Sequence, residues 1–268
     1  MKDILQEIIA QKRVEVEQQK KLVPPEILAD QLLGAQGRPT ISMRSALAAS
    51  PTGIIAEFKR KSPSKGWIFP DAKVGNVLPA YELAGASACS ILTDANFFGG
   101  SLEDLRTARK LVNLPLLRKE FIIDAYQLSE ARVAGADAVL LIAAVLAIEE
   151  CLFLAHAAHE LQLEVLLEIH DASELGHLNP FIDMLGINNR NLGTFHTTLD
   201  HSFHLAGKLS ELKSDLLLVS ESGISEPSTV NELREKGFRG FLIGETFMRG
   251  GKPGETLEKF ISGINHAN

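Results

Sequence analysis

Glu57 and Lys59 stand two residues apart at the end of a short apolar run, so on an extended chain both side chains leave one face while Phe58 leaves the other. Burying a carboxylate and an ammonium is costly unless they pair or do work. A lone Glu-x-Lys reads most simply as a structural ion pair. Here it opens the basic stretch Lys59-Arg60-Lys61-Ser62-Pro63-Ser64-Lys65-Gly66, a loop able to fold over an anionic ligand. Lys119 follows Leu116-Leu117-Arg118, and Glu168 ends Val165-Leu166-Leu167. One can give a proton and the other can take one, the pairing that general acid–base chemistry needs. A lysine walled by apolar side chains and other cations is expected to have a depressed pKa and to donate near neutral pH. The plainer readings are a lysine that snorkels to solvent and a glutamate that serves a core arginine. Ser222-Gly223 and Gly244-Glu245 form a second cluster. Glycine lets backbone N–H groups approach an oxyanion, and a following helix adds its N-terminal dipole, although glycines also simply make turns.

These groups need a scaffold that brings distant strand ends together. Eight short apolar runs, residues 54–58, 88–92, 115–117, 138–142, 164–169, 184–187, 216–219 and 240–243, alternate with longer amphipathic stretches such as 102–112, 125–134, 148–161, 227–236 and 256–264. That rhythm suits parallel strands joined by crossover helices. An open doubly wound sheet is the rival, but its phosphate-binding glycines follow the first strand, where this chain has a lysine-rich loop without GxGxxG. The expectation is an α/β fold, a (β/α)8 barrel, whose C-terminal strand ends converge on one mouth. Gly85, Gly135 and Gly237 each fall between a helix and the next strand, where a left-handed residue ends the helix. Before the barrel, an amphipathic helix runs from Ile4 to near Pro24-Pro25. A short helix, Met43 to Ala49, follows a Thr40 or Ser42 cap. Residues 1–268 thus read as one domain, with 1–50 as a helical extension packed on an end of the barrel.

A chain of 268 residues with 45% hydrophobic and 23% charged content can bury one large core. Its two cysteines, Cys89 and Cys151, lie in apolar patterns without a CxxC or histidine neighbour, so they read as buried thiols of a reducing compartment rather than metal ligands. No apolar run reaches membrane-spanning length, and Met1 to Lys21 lacks a signal core, which points to the cytoplasm. The net charge of −7 argues against nucleic acid as a partner, since that affinity comes from basic surface.

With those residues in place, Glu57-Phe58-Lys59-Arg60-Lys61-Ser62-Pro63-Ser64-Lys65-Gly66 resembles the first-strand signature of the indole-3-glycerol phosphate synthase family. Further blocks resemble it in the right order. They are Leu92-Thr93-Asp94 with Phe97-Phe98-Gly99-Gly100-Ser101, then 117–124, 185–192, Ser220-Glu221-Ser222-Gly223-Ile224 and 242–246, so nearly the whole chain is covered. The resemblance implies ring closure, decarboxylation and dehydration of a phosphorylated anilino-sugar, with no cofactor and no metal. It implies Lys119 as the general acid at the substrate carbonyl and Glu168 in proton transfer during dehydration. Glu57 and Asn188 would orient these groups and bind sugar hydroxyls, while Lys59 would hold the anthranilate carboxylate or donate a proton. Ser62, Ser222, Gly223, Gly244 and Glu245 would bind phosphate with Arg190 nearby, and Pro63, Phe98, Phe121 and Leu192 would line the aromatic pocket. The expected state is a monomer or weak homo-oligomer, open to association with other enzymes of tryptophan biosynthesis. Two departures stand out: Glu120 where the family usually has Asp, and Lys61 where a smaller residue is expected.

Phosphoribosylanthranilate isomerase shares this fold and phosphate site, but its cysteine–aspartate pair has no match here. A phosphate-ligand sensor on the same scaffold would lack Lys119 or Glu168, and both are present. A role for the N-terminal helix in protein contacts is compatible with the enzyme.

Overall fold

The computed structural model describes residues 4–35, 37–190, 197–211 and 216–264. Eight parallel strands close into a barrel: β1 Ile54–Phe58, β2 Ala88–Leu92, β3 Leu116–Lys119, β4 Ala138–Ile142, β5 Glu164–Ile169, β6 Met184–Asn188, β7 Leu217–Glu221 and β8 Phe238–Ile243. Neighbours in sequence are neighbours in space, and β8 returns to β1 with Ile54 opposite Phe241 and Ala56 opposite Ile243. Six of the strands match the expected bounds at one end or both, and β3, β6 and β7 run on into the polar residues Lys119, Asn188 and Glu221. Polar side chains at those ends keep the ladder because they still face a shared interior.

The pleat sorts the barrel into two cores. Ile55, Ala88, Leu117, Leu140, Leu166, Met184, Val219 and Leu242 point inward and pack as one cluster. Ile54, Phe58, Ile91, Val139, Val165, Leu185, Phe241 and their like point outward against the helices. Glu57, Lys119, Glu168, Asn188 and Glu221 continue the inward parity one layer higher, so the alternation that fills the barrel also delivers these groups to its C-terminal mouth.

Helices α1 Ile4–Leu22, α2 Pro25–Ala35 and α3 Met43–Ala49 form the extension. Pro24-Pro25 ends α1 as expected, but Pro25 also begins α2, at a first-turn position where a missing N–H costs nothing. Ser42 rather than Thr40 caps α3, accepting from the Ser45 amide at 3.0 Å. Met43 and Leu47 then plug the lower end of the barrel interior. The crossover helices are α4 Val74–Leu83, α5 Leu102–Leu111, α6 Ala125–Ala134, α7 Ile148–Glu160, α8 Asp200–Glu211 and α9 Pro227–Glu235, followed by α10 Glu245–Met248 and α11 Pro253–Ser262. Ser101 caps α5, and Asp124 with Gln127 forms a capping box on α6. Helices α4 and α8 are not among the helical stretches expected from the sequence. Pro79 interrupts the helical pattern of α4, yet packing of Val74, Val77, Leu78 and Tyr81 holds it. Gly85, Gly135 and Gly237 adopt φ of 93°, 97° and 95°, the left-handed turn from helix to strand. Among the described residues no helix is long and apolar enough to cross a membrane.

Candidate active site

The strand ends open into a cavity of about 710 Å³ whose lining includes Glu57, Lys59, Lys119, Glu168, Asn188 and Glu221. At its floor the Lys119 ammonium donates to Glu168 at 2.9 Å and to Glu221 at 2.8 Å. Lys59 pairs with Glu57 at 2.6 Å, and Asn188 donates from its amide to the other Glu168 oxygen at 3.1 Å. Two lysines and three carboxylates carried by four strands, with Asn188 from a fifth, therefore meet around one space. Phe98 and Phe121 form an aromatic wall, ring centroids 6.0 Å apart, beside Pro63.

The charges settle each other's protonation. Burial alone works to lower the pKa of Lys119, but the carboxylates of Glu168, Glu221 and Glu57 outweigh it and raise it well above the ordinary lysine value. This corrects the expectation of a depressed lysine, because the cations foreseen around it are fewer than the anions. Burial pushes Glu168 up, yet Lys119, His170 and Asn188 bring it down to about 2. Glu221 goes the other way, to about 7, because burial and the charges of Glu168 and Glu57 override the pull of Lys119. One ammonium cannot hold two buried carboxylates fully ionised, so the pair splits its proton affinity.

Glycines make room for this cluster. A Cβ on Gly244 would lie 2.4 Å from Glu57 Oε1, and one on Gly186 would lie 2.2 Å from Glu221 Oε1. From the sequence Glu221 stands only as one member of the Ser220–Ile224 block and carries no role, since it lies among Ser220, Ser222 and Gly223 with no local partner. The inward parity of β7 is the signal that would have found it.

At the rim, Ser222 and Gly223 adopt consecutive positive φ values of 67° and 80°. For Ser222 that conformation is strained, by about 1–3 kcal/mol. The buried Asn189 holds it in place, donating to the backbone carbonyls of Glu221 and Ser222 at 3.1 Å each. Gly244 precedes α10, whose first amides have no partner within the helix. Arg190 reaches Ser64 at 3.3 Å and stands 3.7 Å from Glu245, which also pairs with Arg249. Ser62 is buried, with its hydroxyl unpartnered and away from the cavity lining, whereas Ser64 and Lys65 do line it. Leu192 lies outside the described residues.

The two departures have structural partners. Lys61 donates to the Asn96 carbonyl at 2.8 Å and lies over the Trp67 ring, fastening the short Lys61–Ser62 and Gly66–Trp67 hairpin to the loop after β2. Glu120 accepts from Thr93 at 2.7 Å and meets Lys12 of α1 at 3.0 Å. Lys12 also pairs with Asp94 at 2.9 Å, and against the effect of burial these acids raise its pKa above the ordinary value. That buried link sets Ile4, Leu5 and Ile8 over one side of the cavity.

The family model described as indole-3-glycerol phosphate synthase matches residues 5–260. A relative so named from Bacteroides thetaiotaomicron is 60% identical over 265 residues, 98% of this chain and 100% of that protein. One from an Azoarcus species is 43% identical, covering 96% of this chain and 98% of its own. Among solved structures, a mutant tryptophan synthase alpha-subunit from the hyperthermophile Pyrococcus furiosus superposes with a TM-score of 0.61 at 14% identity. It covers 80% of this chain and 97% of that one, a likeness of fold alone.

Proposed function

The chain belongs to the indole-3-glycerol phosphate synthase family, a carbon–carbon lyase of tryptophan biosynthesis, and on that premise we propose how its own side chains close the anilino-sugar phosphate into an indole. The observation that carries the proposal is the single ammonium of Lys119 held between Glu168 and Glu221 on the cavity floor.

Lys119 is the general acid. Its neighbours keep it charged at every physiological pH, so the proton is in place before the reaction begins. Attack of the aromatic carbon on the substrate carbonyl turns that oxygen towards an alkoxide, more basic than the amine, and the proton moves as the bond forms. Decarboxylation restores the ring's aromaticity. Glu168, kept ionised, takes the proton in the final loss of water. Glu57 and Asn188 orient these groups and meet sugar hydroxyls; Lys59 holds the anthranilate carboxylate or donates a proton.

The cavity folds the substrate, and proximity supplies much of the acceleration. Phe98, Phe121 and Pro63 sandwich the aromatic ring, with Leu192 assigned there from the sequence. The phosphate sits at the rim, on the amides of Ser222, Gly223, Gly244 and Glu245, with Arg190 as its cation; Ser62, assigned there from the sequence, has its hydroxyl buried away from the cavity lining. Extension and barrel act as one domain, a reading supported by α1 over the cavity and α3 within the lower end. We take the working state to be a cytoplasmic monomer or weak homo-oligomer, as read from the sequence.

Purified protein incubated with carboxyphenylamino-deoxyribulose phosphate is expected to develop indole fluorescence, and Glu168→Gln to lose most of it. Folded wild-type protein that forms no indole overturns the proposal, as does full turnover by the variant.

A further inference from the structure

His170 lies two residues beyond Glu168, so it shares the inward parity of β5 but sits past the strand's end. Its ring is largely buried and does not line the cavity. Nε2 stands 3.5 Å from Glu168 Oε1, and Nδ1 stands 3.6 Å from Glu174 Oε2. Glu174 belongs to the 3-10 turn Ala172–His177 and is fixed there by accepting the His170 amide at 2.6 Å. Both ring nitrogens are shut off from solvent and reach no hydrogen-bond partner among the described residues at these separations.

A neutral imidazole has one donor and one acceptor nitrogen, and here the acceptor would face a carboxylate oxygen. The imidazolium has two donors and faces an acceptor on each side. We propose that His170 is a positioning residue for Glu168: as an imidazolium held between Glu168 and Glu174, it decides which of the two carboxylates on Lys119 keeps its charge. This rests on the assignment of Glu168 as the proton acceptor.

The groups facing the ring are Glu168 from β5, Glu174 from the turn and, at longer range, Glu221 from β7. Burial opposes protonation of His170, but these three acids together raise its pKa. The asymmetry at Lys119 follows. Glu168 has Lys119, Asn188 and His170 around it, whereas Glu221 has Lys119 and one oxygen without a partner. Remove the imidazolium and the two acids become more alike, so Glu168 takes up a proton at higher pH.

The test is the pH profile of His170→Asn. The acid limb of kcat, set by protonation of Glu168, should move up by about one pH unit relative to wild type, with KM little changed. A purely structural role would lower kcat by the same factor across the whole profile and leave that limb in place, and that result overturns the proposal. If His170→Asn does not fold, NMR titration of the His170 ring in Glu174→Gln and Glu168→Gln decides instead. Its midpoint should move down in both, and an unmoved midpoint overturns the proposal. Full turnover by Glu168→Gln would remove the premise about Glu168, whereas the His170 midpoint in that variant reports on the bridge itself.

Discussion

The Lys119 ammonium lies 2.8 Å from an oxygen of Glu221, a carboxyl group that nothing in its local sequence marks as a partner. Between about 4.5 and about 7 the folded protein keeps a proton on Glu221 that the unfolded chain has shed. Stability therefore falls as pH rises through that window. Glu168 has the opposite sign: its depressed value stabilises above the ordinary carboxylate range, and that contribution is lost as pH falls towards about 2. Glu221→Gln should remove the first slope, so its Tm relative to wild type climbs with pH between about 4.5 and 7. Parallel Tm curves would contradict the shared-ammonium account.

Lys12 is the buried tether of α1. Lys12→Met takes the shared ammonium from Asp94 and Glu120, leaving Glu120 only Arg118 at 4.0 Å, and breaking a buried pair in this way costs about 3–5 kcal/mol. Denaturant unfolding should show a loss of that order. Because Ile4, Leu5 and Ile8 line the cavity, KM should rise as well. Unchanged stability would mean that α1 is held by its apolar face alone.

The expansion of Glu57 into the space beside Gly244 makes that glycine sensitive to a single methyl group. Gly244→Ala should displace the Glu57 carboxylate, destabilise by about 1–3 kcal/mol and lower kcat, because Glu57 holds Lys59. A crystal structure of the variant would show whether the Glu57–Lys59 pair has moved. Wild-type kcat with Ala in place would separate Glu57 from the chemistry.

Arg190 carries the rim's positive charge towards the phosphate. Arg190→Ala should raise KM by at least about tenfold, the loss of one charge-assisted contact, with a smaller effect on kcat. An unchanged KM would place the phosphate elsewhere.

Much of the barrel is legible because apolar runs such as Ile54–Phe58 and Ala138–Ile142 are too short for helices and recur between amphipathic stretches, as buried strands do. The two-residue period of a strand puts Glu57 and Lys59 on one side before any coordinates are known. Helix α4 is less legible because Pro79 speaks against it locally while tertiary packing speaks for it. The charge state of Lys119 is not legible at all. Its apolar walls are written beside it, but the carboxylates that override them arrive from β5 and β7, and Glu221 is 102 residues away along the chain. Electrostatics of a closed barrel depend on closure. The extension divides in the same way: Ser42 announces α3, whereas nothing near Lys12 announces Asp94 or Glu120.

The most direct test is single-turnover kinetics of Lys119→Ala alongside its affinity for indole-3-glycerol phosphate. The account predicts that indole formation nearly stops while the product still binds at the rim with close to wild-type affinity. Indole formation at the wild-type rate in that variant would contradict it.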